Sequence, residues 1–131
     1  MFKFIDRWID RLEGVRNCDS PPGESLEIIA LNLLSAIGEE RPAAVLVTSS
    51  IPDNTDVSKI CEELPGMIPP GIVLECSQNP CLDSKAMRRL PDCSGVVLIE
   101  REGRSKHAAL ARLIECVSDH EKAIYGFVMV N

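Results

Sequence analysis

Ala43-Ala44-Val45-Leu46-Val47-Thr48 is an unbroken, mostly apolar run that ends on the polar turn Ser49-Ser50-Ile51-Pro52-Asp53-Asn54-Thr55-Asp56. A strand without polar alternation is covered on both faces, the condition of a central strand in a parallel sheet. Parallel neighbours cannot be joined by a hairpin, and each pair needs a crossover, usually a helix. This one run therefore commits the chain to strands alternating with helices. It also marks where a site belongs, because open α/β sheets bind ligands beyond the carboxyl ends of their strands.

The rest of the sequence keeps to that alternation. Residues 24–37 place Leu26, Ile29, Ala30, Leu33, Leu34 and Ile37 on one helical stripe, and Gly38 supplies the stop. The helix after the first strand is predicted from about Asp53 to Leu64, ahead of Pro65-Gly66. Further strands are predicted at 72–76, 95–99 and 123–130. Helices fill the gaps, at 84–90 and from a Ser105 cap to about 118. The fold class is α/β in three layers: about four mostly parallel strands with helices on both faces.

Upstream, Phe2, Ile5, Trp8, Ile9, Leu12 and Val15 form the apolar stripe of an amphipathic helix over 2–15. Acidic residues interleave with basic ones on its other face, which suits packing or a subunit contact better than a lipid surface. The chain thus divides into an N-terminal helix (1–16), a Pro- and Gly-containing linker (17–23) and one domain (24–131).

A formal net charge of −6 disfavours nucleic acid as a partner, since its binding needs a basic face. No apolar run reaches the ~18 residues of a membrane span and no signal-peptide core is visible, so the expected location is cytoplasmic. Of the six cysteines, Cys76 and Cys81 have the spacing of half a zinc site. No second pair or histidine lies at ligand spacing, and the cysteines are read as core thiols with no metal assigned.

The turn after the first strand has the position of a phosphate-binding loop without its residues. Such a loop uses glycines for close backbone approach and a lysine for the phosphates. Here Asp53, Asn54, Thr55 and Asp56 stand instead, with Ser58 just beyond and Lys59 as the nearest cation. Asp53 is read as the helix cap and Asp56 as the complement of the helix dipole, two protein carboxylates replacing a bound anion. Arg101, Arg104, Lys106 and His107 form a basic turn after the third strand, read as a solvated helix start or a contact for an anion or an acidic partner. Neither His107 nor His120 lies in a catalytic motif, and no residue is assigned a catalytic role.

Taken together these segments resemble the bacterial polysaccharide-synthesis ATPases, the tyrosine-kinase-type P-loop proteins of the MinD-like superfamily. Residues 24–32 lie where that family has the helix before its first strand, and Val47-Thr48-Ser49-Ser50-Ile51-Pro52 matches its V-T-S-S-x-P. Leu82-Asp83-Ser84, the stretch 94–105 and the terminal Gly126-Phe127-Val128-Met129-Val130-Asn131 match further segments in order. The resemblance implies a truncated P-loop topology with a degenerate loop at Ser49, Ser50, Pro52, Asp53, Asn54, Thr55, Asp56 and Ser58. Glu75 falls at the position of the family's Walker B aspartate, and on this reading the family's tyrosine-rich tail is not expected.

What it implies about function is a non-catalytic relative, an interaction or regulatory module in capsule or exopolysaccharide production. Its partner would be a membrane chain-length or export protein or an active ATPase subunit, placing it at the membrane through that partner. No cofactor is expected on this reading. One alternative is a protein that binds Mg²⁺ and nucleotide, or transfers phosphoryl groups, through Asp53, Asp56 and Glu75. Another is a small structural domain that forms homo-oligomers.

Overall fold

The computed structural model describes residues 22–53, 55–101 and 103–130, with the backbone alone for 22–25. The elements in chain order are α1 (Pro22–Ile37), β1 (Ala43–Thr48), α2 (Thr55–Glu63), β2 (Ile72–Cys76), α3 (Ser84–Arg89), β3 (Gly95–Arg101), α4 (His107–Asp119) and β4 (Ala123–Val130). Short 3₁₀ turns extend α2 over Leu64–Met67 and α3 over Leu90–Asp92, in each case where a proline forbids the next α-helical hydrogen bond. The expected helix at 2–15 lies outside the described residues. The expected linker gives up Pro22 and Gly23 to α1. Proline suits the first helical turn, whose N–H groups have no intrahelical partner.

All four strands are parallel, in the order β2-β1-β3-β4. The fold class expected from the apolar runs is the one observed. Val45 and Val47 of β1 and Val97 and Ile99 of β3 meet Ala30, Leu33 and Ile37 of α1 and Val57 of α2. The alternate residues Leu46, Val96 and Leu98 meet Leu90 and, from α4, Leu110, Leu113, Ile114 and Val117. A period of two along each central strand thus feeds two cores, which is why those strands carry no polar residue until their ends. Each fully buried aliphatic side chain contributes roughly 1.5–3 kcal/mol by leaving water. Among the described residues, no helix is long and apolar enough to cross a membrane.

Two glycines are required by the geometry. Gly38 adopts φ +67° as α1 ends, and its N–H bonds the Leu34 carbonyl at 2.9 Å. That is the left-handed stop expected at this position. Gly95 opens β3 against the ring of Tyr125, which lies where a Cβ would stand. Tyr125 is the extra residue of a β-bulge: Val96 pairs with Ile124 and Val97 with Gly126.

β3 runs two residues beyond the predicted strand, to Arg101. α2 begins at Thr55 rather than Asp53, and α4 at His107. Lys106 occupies the N-cap of α4 without a side-chain cap, so Ser105 does not cap that helix as predicted. Its hydroxyl is drawn into the site described next.

Candidate functional site

β1 lies between β2 and β3, so the chain moves outward from β1 to β2 and then crosses back over β1. The helices that follow β1 and β3 cover opposite faces of the sheet. A crevice at the carboxyl ends of these two strands is the topological switch point, where open α/β folds bind ligands. All the buried polar residues described, Thr48, Ser49, Ser50, Ser77, Asn79 and Glu100, lie at or just beyond the carboxyl ends of β1, β2 and β3.

Glu100 is the centre of this group and is 0% exposed. Its Oε1 accepts the Ser50 N–H at 2.8 Å. Its Oε2 accepts the hydroxyls of Ser50 at 2.9 Å, Ser105 at 2.9 Å and Ser49 at 3.2 Å. Two of these hydroxyls pass the network on: Ser49 Oγ accepts the Ile51 N–H at 3.0 Å and Ser105 Oγ the Arg101 N–H at 3.0 Å. A hydroxyl is both donor and acceptor, so one buried carboxylate organises the backbone of two loops. Asn79 extends the network to a third loop, donating to the Ser50 carbonyl at 3.2 Å and accepting the Cys81 N–H at 2.9 Å.

Outside this buried centre sit two ion pairs. Arg101 grips Asp56 with both arms, Nε to Oδ2 at 2.8 Å and Nη2 to Oδ1 at 2.7 Å. Arg104 Nη1 lies 3.2 Å from Asp53 Oδ2. Asp53 Oδ1 also accepts the Thr55 N–H at 3.0 Å and the Thr55 hydroxyl, so it does serve the start of α2. Both carboxyls are held below their ordinary range, Asp56 first by its hydrogen bonds from Arg101 and Asp53 first by those from Thr55. Asp56, expected to complement the helix dipole, is chiefly the partner of an arginine 45 residues away.

The remaining predicted site residues are dispersed. Glu75 pairs in register with Leu46 on the edge strand β2 and is exposed. Ser58 is turned to the Cys76 thiol, 3.9 Å away, rather than to the loop. Pro52 is exposed on the turn and Asn54 lies outside the described residues. Asp53, Asp56 and Glu75 are therefore not brought together in one acidic cluster. Among the described residues, no three His, Cys, Asp or Glu side chains could hold a metal ion. Cys76 and Cys81 do not converge either, for Cys76 packs on the α1/α2 core and Cys81 on the α3/α4 core. Burial, with Cys76 alongside, pushes the Cys61 thiol up to about 12, and burial beside Cys81 pushes Cys116 up to about 11. These thiols are poor nucleophiles at neutral pH.

Sequence reasoning found the turn and its two aspartates but missed Glu100, Ser105 and Asn79. Glu100 shares its side of β3 with Val96 and Leu98, so a carboxylate continuing a buried face was the available signal.

Asp56→Asn is expected to lower stability by about 1 kcal/mol at pH 7, the scale of a well-formed, partly exposed ion pair. Because the folded state depresses the Asp56 pKa, that contribution is present above the unfolded value and is lost as pH falls through the folded one. Urea unfolding of the two proteins should therefore differ at neutral pH and converge in acid. A difference that persists unchanged in acid would remove the ion pair as its cause.

Comparison with family models, with characterised proteins and with solved structures returned no match.

Proposed function

We propose that the protein is a non-catalytic, shortened relative of the polysaccharide-synthesis ATPases, working as a binding or regulatory module for a protein partner. The observation that carries this reading is the Glu100 carboxylate on the Ser50 N–H and hydroxyl. In a P-loop protein the backbone N–H groups of this turn are offered to phosphate. Here the Glu100 side chain takes the Ser50 N–H, and Arg101 and Arg104 are directed at Asp56 and Asp53. The Ser50 N–H, Asp53 and Asp56 thus have protein partners at this turn. The partner proposed on the family resemblance is a membrane chain-length or export protein, or an active ATPase subunit, with the protein itself in the cytoplasm.

Thermal unfolding with and without millimolar Mg-ATP, Mg-ADP and Mg-GTP tests the reading. A ligand at 100 times its dissociation constant stabilises a fold by about 2.7 kcal/mol, a rise of several degrees here. The expected result is no rise with any of the three. An increase that disappears in Asp53→Asn/Asp56→Asn would overturn the proposal and restore an acid- and Mg²⁺-dependent nucleotide site.

A further inference from the structure

A cavity of about 220 Å³ opens beside the buried network, between the turn at 50–52, the turn at 79–82 and the start of α4. Among the described residues its walls carry Arg104, Lys106 and Arg112 and no carboxylate, in a chain whose formal net charge is −6. Among the described residues, Lys106 and Arg112 have no ion pair, and Arg104 has only the exposed one to Asp53 at 3.2 Å. Like charges gathered in one concavity repel one another unless an anion joins them, and low-dielectric walls focus their field.

The rest of the lining adds two things. Ile51, Pro52 and Leu82 give an apolar wall, and Leu82 is 66% exposed, a large side chain left uncovered at the rim. At the floor, Ser50 and Asn79 are each 3% exposed and fixed by the Glu100 network, so this side of the cavity is preformed. α4 starts at the wall, through Lys106 and Ala109, and its first turn lacks a side-chain cap because Ser105 bonds Glu100 instead.

We propose that this cavity binds a small phosphate monoester carrying a compact apolar group. Two cations with no ion pair among the described residues and a third with an exposed one match the charge of roughly −1.5 to −2 that a phosphate monoester carries at neutral pH. Guanidinium forks match its oxygens in geometry as well as charge. The volume is below the ~300 Å³ at which pockets for drug-sized ligands begin, so the part of a ligand held inside is small. The cavity shares Ser50, Ile51 and Pro52 with the turn after β1, and its cations come from the other side, from Arg104 and from Lys106 and Arg112 of the α4 segment. The inference goes beyond the proposed function and does not depend on it.

Calorimetric titration of the intact protein with phenyl phosphate, inorganic phosphate and phthalate tests it, alongside Lys106→Gln/Arg112→Gln. Both substituted residues are exposed, so the unliganded variant should unfold at the wild-type temperature. Phenyl phosphate is expected to bind at least about tenfold more tightly than the other two, to weaken as salt rises, and to weaken at least about tenfold in the double variant. No binding at millimolar phenyl phosphate, or equal binding by the variant, overturns the proposal. Phthalate binding as tightly removes the phosphate assignment, and inorganic phosphate binding as tightly removes the apolar group. A phosphoserine peptide that binds more tightly than phenyl phosphate makes the occupant a protein instead of a small molecule.

Discussion

Glu100→Ala is expected to lower the unfolding free energy by about 3–4 kcal/mol, because each buried donor left without an acceptor costs ~1–3 kcal/mol. Four donors converge on this carboxylate, the Ser50 N–H and the hydroxyls of Ser49, Ser50 and Ser105. The hydroxyls can rotate toward other acceptors, but the Ser50 N–H is fixed by its backbone in a residue only 3% exposed. The loss corresponds to a fall of about 10 °C in Tm for a domain of this size. Glu100→Gln keeps the shape and one carbonyl acceptor for that N–H, and should lose about half as much. Equilibrium urea unfolding of both variants distinguishes the outcomes. An alanine variant within about 1 kcal/mol of wild type would show that the network is not what joins the loops after β1 and β3.

The second large effect is expected at Gly95→Ala, a loss of about 1–3 kcal/mol, the usual cost of forcing extra volume into a packed site. On backbone grounds the change should do the opposite, since glycine within a strand is worth roughly 0.5–1 kcal/mol less than alanine. The sign is decided by Tyr125, whose ring lies on Gly95 and whose hydroxyl donates to the Ser94 carbonyl at 3.0 Å. In a Tyr125→Ala background the same glycine substitution should become neutral or stabilising. A double-mutant cycle measures this coupling directly. An undiminished penalty in that background would place the strain in the backbone instead of the ring.

The elements themselves were legible because their signals are local. β1, β2 and β4 occupy the predicted residues, for an apolar run bounded by glycine, proline or charge has few other states open to it. The left-handed Gly38 and the alternation of helix with strand follow from the same short-range rules, and the parallel sheet follows from alternation. β3 was cut short at Ile99 because Glu100 and Arg101 are charged, and charge normally ends a buried strand. Here the charges are accommodated by hydroxyls on one face and by Asp56 on the other.

The sequence by itself therefore determined the class of fold, the extent of most of its elements and the place where a site had to be. The tertiary structure decided strand order, the bulge at Tyr125 and every partner of the charged residues. Ser50 meets Glu100 across 50 residues, Asp56 meets Arg101 across 45 and Asp53 meets Arg104 across 51. Periodicity tells which face a side chain leaves from, but only the register of one strand on another tells what it meets. That register also took Ser105 from the helix it was expected to cap and gave it to Glu100, leaving the start of α4 beside three cations.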